Sequence, residues 1–273
     1  LFRTFGETAP LLVNVRPNGP FRIEDFDAAG GALAVIQALG EEMEDTLTIT
    51  GETMRERQSG PKRSLKSVAS PASPLDGQQP GLCILKGSLA PIGAVVKLAA
   101  VPRDAYKMRG PARVYEDEDD AIMALAGDTI SSGDVIVLRM LGPIGGPGTV
   151  FAASFMAALV GAGLGETVAV VTDGELSGLN KGITIGQVMP EAAEGGPLAL
   201  VRDGDMIDID ISQRTIDLVL TSSELAERRK RWSPPKPTEE RGWLYQYSKL
   251  VQPLAQGAVL CRLDPPSTGI EDN

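Results

Sequence analysis

Beyond Gly81 the apolar residues come in short runs, and nearly every run ends in a turn built on glycine or proline. Such punctuation favours a sheet of short strands with brief crossovers over long helices. Strands are expected at Leu82–Lys86, Ala94–Lys97, Ala112–Tyr115, Val135–Leu138, Val168–Thr172, Leu198–Val201, Met206–Ile211 and Thr215–Val219. The last two flank Ser212-Gln213 and read as a hairpin. Helical spacing marks Asp117–Leu125, Ala152–Leu164 and Ser222–Arg231, the last with Ser222 as its expected N-cap. Many strands and few helices predict a β-barrel-like domain with surrounding helices.

The first 57 residues have a different texture, that of an α/β segment. Pro10–Val15 is a strand candidate, and Glu24–Gly40 is expected as one helix from the spacing of Ile23, Phe26, Ala29, Leu33 and Ile36. Gly60–Gln79 is polar, carries little apolar periodicity and reads as a linker, which places a domain boundary there. The chain opens on Leu1 rather than Met, as expected of a processed or truncated polypeptide.

Several function classes drop out on chemistry. A net charge of −10 without a Lys/Arg-rich tract disfavours nucleic acid as a partner. The chain has no histidine, so Ser-His-Asp and Cys-His catalysis are excluded within it. Cys83 and Cys261 are far apart and fit neither a CxxC site nor a disulfide framework; they read as small hydrophobes in a reducing compartment. Phe151–Gly165, the longest nearly uncharged apolar stretch, is too short and glycine-rich for a membrane span, and a cytoplasmic protein is expected.

Three glycine-rich segments carry the chemistry. Leu141-Gly-Pro-Ile-Gly-Gly-Pro-Gly148 follows a strand and precedes a helix, where backbone N–H groups can converge on an anion, although neither a P-loop nor G-x-G-x-x-G is present. A plain structural turn explains the same residues. In Val170-Val-Thr-Asp-Gly-Glu-Leu-Ser-Gly178 a strand runs into a turn that exposes Ser177, either a turn serine or a nucleophile or base if its pKa is lowered, with Lys181 as one local group able to do so. Met189-Pro-Glu-Ala-Ala-Glu-Gly-Gly-Pro197 places Glu191 and Glu194 on one helical face, or forms a capped turn leading into a strand and then an Arg-Asp-Gly-Asp turn at 202–205.

Together these segments resemble the dihydroxy-acid dehydratase/6-phosphogluconate dehydratase family, which includes aldonic-acid dehydratases. The matching stretches are Val13-Asn-Val-Arg-Pro-Asn-Gly19, Glu24-Asp-Phe with Ala29-Gly-Gly31, Thr48-Ile-Thr-Gly-Glu-Thr53, Leu85-Lys-Gly-Ser-Leu-Ala-Pro91 with Gly93-Ala-Val-Val-Lys97, Gly142-Pro with Gly145-Gly-Pro-Gly148, Thr172-Asp-Gly with Ser177-Gly178, and Pro190-Glu-Ala-Ala-Glu-Gly-Gly-Pro197. They occur in family order over nearly the whole chain.

The resemblance implies dehydration of a 2,3-dihydroxy carboxylate, a dihydroxy acid or sugar acid, to a 2-keto acid. It implies an iron–sulfur cluster acting on the leaving 3-hydroxyl and a divalent cation, Mg2+, beside it. The base that takes the C2 proton falls on Ser177, with Gly178, Gly145 and Gly146 at the substrate. It implies residues 1–75 as the end of an N-terminal α/β domain plus linker, and residues 76–273 as a C-terminal β-barrel-like swivelling domain. The missing N-terminal part would carry the cluster cysteines and most cation ligands, and the assembly would be a homodimer. No metal ligand is assigned to this chain, and the chain alone is expected to hold no cluster and to be inactive.

Four positions depart from the family pattern. Phe151 stands where a cation-binding Glu is usual, Ile144 where a Lys is, Glu175 where an Arg is, and Gln187 where a His is. These departures leave open a second expectation, a catalytically inactive homologue acting as a binding or structural subunit. The run Arg231-Trp-Ser-Pro-Pro-Lys-Pro with Arg241-Gly-Trp-Leu-Tyr-Gln-Tyr is read as a proline-rich strap with aromatic anchors.

Overall fold

In the computed structural model all but one of the glycine-punctuated runs after Gly81 become strands. The structure describes residues 9, 11–16, 19–59, 68, 81–175, 181–236 and 239–261. The chain forms two compact units, Leu1–Ile84 with Lys97–Pro102, and Leu85–Val96 with Arg103–Asn273.

The first unit contains helices α1 (Ile23–Ala28), α2 (Gly31–Leu39) and α3 (Met54–Gln58). The single helix expected over Glu24–Gly40 is therefore two. Gly30 and Gly31 break it by taking φ of 107° and 59°, a left-handed backbone that costs other residues about 1–2 kcal/mol. The strand expected at Pro10–Val15 is reduced to isolated bridges, Val13 with Val68 and Val15 with Phe21; without a continuous neighbour no ladder propagates. Helix α3 is set by a capping box that the sequence reading passed over. The Thr53 hydroxyl accepts from Glu56 N–H at 3.2 Å, and the Thr53 N–H donates to the Glu56 carboxylate at 2.7 Å. Apart from Val68, the linker Gly60–Gln79 lies outside the described residues.

Eight strands follow: β1 (Leu82–Leu85), β2 (Gly93–Lys97), β3 (Lys107–Tyr115), β4 (Val135–Leu138), β5 (Ala169–Thr172), β6 (Thr184–Met189), β7 (Met206–Asp210) and β8 (Thr215–Leu218). They lie in one sheet in the order β1-β2-β6-β5-β4-β3-β7-β8. The middle of the sheet, β3-β4-β5-β6, is parallel, and β2, β7 and β8 add antiparallel to it. Parallel neighbours need crossovers. Helix α4 (Glu118–Ala126) joins β3 to β4, and α5 (Ala153–Gly161) joins β4 to β5.

The sheet nearly closes on itself. Just after β1, Lys86 N–H donates to Arg214 at 3.0 Å and its carbonyl accepts from Ile216 at 3.2 Å in β8. Ser88 extends this seam: its N–H donates to Asp217 at 2.7 Å, and its hydroxyl accepts from Leu218 N–H at 2.9 Å. Between them Gly87 is obligatory, because a Cβ there would sit 2.0 Å from the Ile216 carbonyl oxygen.

All of β4 and β5 is buried, as expected of parallel strands covered on both faces. Ile136, Leu138 and Val170 pack with Phe155, Met156 and Leu159 of α5 and Ala121 of α4. By alternation Val135, Val137, Ala169 and Val171 face the opposite side of the sheet, and they too are buried.

Three further expectations change. Leu198–Val201 is not a strand: Pro197–Leu200 is a 3-10 turn, entered through Pro197, whose fixed φ and missing N–H suit a first-turn position. Strand β6 went unforeseen because Gly186 and Gln187 interrupt its apolar alternation. Helix α6 (Ser222–Arg231) has the expected span, but its N-cap is Thr221, which accepts from Glu224 N–H at 3.2 Å. The aromatic anchors Trp243, Tyr245 and Tyr247 lie on a helix of their own, α7 (Gly242–Leu250), rather than on a strap. Among the described residues no helix is long and apolar enough to cross a membrane.

Candidate active site

The glycine-rich loop between β4 and α5 lies against two buried carboxylates. Asp173, at the end of β5, is fully inaccessible. Its carboxylate accepts from the N–H groups of Leu141 at 2.9 Å, Met140 at 3.2 Å and Ala192 at 2.8 Å. One side chain thus ties the start of the loop to the segment after β6. Burial pushes its carboxyl pKa up, and the three N–H donors work against that rise.

The second carboxylate is Glu191, also fully inaccessible. It accepts from Ile144 N–H at 3.1 Å and Gly145 N–H at 3.1 Å. The converging N–H groups foreseen for an anion therefore hold one belonging to the chain itself. Gly142 makes this possible, since a Cβ there would lie 2.4 Å from a Glu191 carboxylate oxygen. Burial, followed by the nearby Asp173 charge, raises the Glu191 pKa to about 7 against the donation from the loop. Glu191 and Glu194 do form a capped turn, with Glu191 N–H donating to Glu194 at 3.3 Å.

Gly145 and Gly146 sit side by side on this loop, and both N–H groups have partners within the chain. Gly145 N–H goes to Glu191, and Gly146 N–H goes to the Gly142 carbonyl at 2.8 Å. Gly145 forms part of the wall of an open cleft of about 170 Å3, together with Ile144, Pro147, Ala193, Lys236 and Lys249. Lys249 Nζ stands 5.3 Å from the centroid of the Tyr245 ring. Ser177 and Gly178 lie outside the described residues, and so does the rest of 176–180. Lys181 is exposed at the far end of that segment.

What the structure does bring together is three of the four departures from the family pattern. Phe151 bridges Glu175, whose N–H donates to Val150 at 3.1 Å. Gln187 donates through its side-chain amide to both Glu175 oxygens, at 2.9 Å and 3.0 Å. Phe151 is 55% exposed, an unusual setting for a phenylalanine. Ile144, the fourth, sits on the glycine loop. The buried pair Asp173 and Glu191 was not picked out as a pair from sequence; the available signal was an Asp ending an apolar strand and a Glu directly after Pro190.

The described residues do not fit a cluster or a cation on their own. Among the described residues no three of His, Cys, Asp and Glu converge as metal ligands. Cys83 is buried in β1, and Cys261 is half-buried near the end of the described chain.

The class defined by these features is an α/β chain with a nearly closed β-barrel that buries carboxylates under a glycine-rich loop. Profiles described as Dihydroxy-acid/6-phosphogluconate dehydratase N-terminal and C-terminal match residues 1–57 and 65–258 respectively. The protein named Dihydroxy-acid dehydratase from Geobacter metallireducens is 43% identical over 258 residues, covering 94% of this chain and 47% of that protein. The protein of the same name from Ignicoccus hospitalis is 43% identical over 267 residues, covering 95% and 48%. The chain belongs to the dihydroxy-acid/6-phosphogluconate dehydratase family, and it spans about half the length of the curated relatives it matches.

Proposed function

We propose that this chain is the C-terminal part of a hydro-lyase that converts a 2,3-dihydroxy carboxylate to a 2-keto acid. The observation that carries this reading is the Asp173 anchor. A fully buried carboxylate holding three backbone N–H groups fixes the end of β5, four residues before Ser177 in the sequence. Relatives named Dihydroxy-acid dehydratase support the same chemistry.

In this reading the Ser177 alkoxide takes the proton from C2. The C2–H electron pair forms the C2–C3 double bond as the C3–O bond breaks, and the departing hydroxyl leaves as water. The resulting enol tautomerises to the 2-keto acid. The proton that turns the departing hydroxyl into water is assigned, in this reading, to the part of the complete protein that this chain does not cover. Gly178 lies next to the base. Gly145 and Gly146 serve the substrate through close backbone approach, since their N–H groups are already engaged.

The iron–sulfur cluster and Mg2+ belong to the complete protein in this proposal, as do a homodimeric assembly and a cytoplasmic location. The division into residues 1–75 and 76–273 belongs to it as well; the two family profiles also part the chain in two, though earlier, between residues 57 and 65. The test is 2-keto acid formation by the full-length protein from 2,3-dihydroxyisovalerate, 6-phosphogluconate and pentonates. Ser177→Ala is expected to remove turnover, on the order of 10²-fold or more for a general base, with an unchanged circular dichroism spectrum. Turnover retained in that variant would place the base elsewhere.

A further inference from the structure

The chain is acidic overall, yet one cleft of about 210 Å3 is lined by four arginines, Arg139, Arg202, Arg228 and Arg231, beside Trp232 and the peptide Ala199–Val201. No carboxylate is among its lining residues. It lies wholly within the barrel unit, and none of its lining residues lines the cleft at the glycine loop.

Two of the arginines have structural work. Arg139 donates to the carbonyls of Ala199 and Val201, both at 3.0 Å, and to Glu116 at 2.7 Å and 3.0 Å. Arg228 donates to the Leu200 carbonyl at 2.9 Å and pairs with Asp205 through both terminal nitrogens. Those bonds satisfy the carbonyls that the 3-10 turn Pro197–Leu200 leaves open. Asp205 feels burial first, which pushes its pKa up, but Arg228 and the Arg202 N–H hold it below the usual carboxylate range.

Arg202 and Arg231 make no such bonds through their side chains, although the Arg202 charge also helps hold the Asp205 carboxyl down. Both are exposed, and among the described residues neither side chain makes a hydrogen bond or ion pair. The other acids nearby are engaged: Asp203 accepts from Val114 N–H at 2.7 Å, and Glu224 caps α6. Four guanidiniums line the cleft while, among the described residues, only Glu116 and Asp205 pair with them, so like charges repel there and a doubly charged anion relieves that repulsion. Planar N–H forks match phosphate oxygens pairwise. Trp232 supplies a fixed wall, since its ring covers Gly195 so closely that a Cβ there would lie 2.9 Å away. The space exceeds the roughly 30 Å3 share of a single water.

We propose that this cleft binds a phosphate group, as inorganic phosphate or as the phosphoryl end of a small phosphomonoester. The proposal is independent of the dehydration chemistry. Titration calorimetry on the 273-residue chain at constant ionic strength, with inorganic phosphate and with glycerol 3-phosphate as probes, tests it. Saturable one-site binding of either probe is expected, and the tighter of the two identifies the source of the phosphate. Arg202→Gln with Arg231→Gln is expected to weaken binding at least about tenfold, the loss of charge-assisted bonds, with an unchanged circular dichroism spectrum. Arg202→Lys with Arg231→Lys is expected to recover part of the affinity. Absence of saturable heat with both probes, or equal affinity in the double Gln variant, overturns the proposal.

Discussion

The two units of this chain use apolar residues in opposite ways. In the barrel unit whole strands vanish from solvent, and β4 and β5 have no exposed residue. Among the described residues of the first unit the buried set is small, while Ile23, Leu47 and Ile49 stand in solvent, Ile49 completely. Its helices are short, and α1 and α3 bury no residue at all. Short helices gain most of their stability from tertiary burial. One unit has that burial among its own described residues, and the other has little of it.

That contrast can be broken by mutation, beginning with the largest effect. Phe155→Ala removes a fully buried ring from the packing between α5 and the sheet and is expected to cost about 3–5 kcal/mol in urea unfolding of the barrel unit. A cost near zero would mean that the barrel core is not what holds that unit together.

Next comes pH. Folding raises the Glu191 pKa from 4.5 to about 7, so its contribution to stability is complete below about pH 4.5 and is lost as pH rises through about 7. The expected loss is on the order of 3 kcal/mol at about 1.4 kcal/mol per pKa unit. Asp173 slopes the same way, because burial raises it too. Glu191→Gln keeps an acceptor for the loop without the charge, and urea midpoints of that variant should vary less with pH between about 4.5 and 7. An unchanged slope would assign the pH dependence to other groups.

Smaller effects test whether the units unfold separately. Thr53 and Thr221 make the same capping box, one in each unit. Thr221→Ala should destabilise the barrel transition by about 1 kcal/mol, whereas Thr53→Ala should leave that transition where it is. Equal shifts would show a single cooperative unfolding. At the bottom of the scale, exposed Ile49→Ala should change the stability of the chain by less than about 0.5 kcal/mol.

The barrel strands were legible because short apolar runs between glycine turns admit few alternatives; Val135–Leu138 has the expected bounds exactly as the spacing sets them. The strand β6 was hidden by its glycine and glutamine, whose places depend on neighbours distant in sequence. The helix break at Gly30 was hidden for the opposite reason: the 3.6-residue spacing runs through it, while the backbone does not. At the candidate site, the loop's convergent N–H groups were legible as a motif. Their occupant was not, because Glu191 reaches Gly145 across 46 residues and no local pattern records that distance. The pairing of Glu175 with Gln187 is likewise a tertiary fact, although both had stood out as departures.

The Glu191 carboxylate has one more consequence for the loop it fills. Any free anion arriving at Ile144 and Gly145 must compete with a rival that cannot diffuse away, because the rival is covalently part of the fold and already oriented. The loop is thereby inoculated against the phosphate, sulfate and carboxylates of its surroundings, although its hold on that rival still varies with pH through the Glu191 carboxyl.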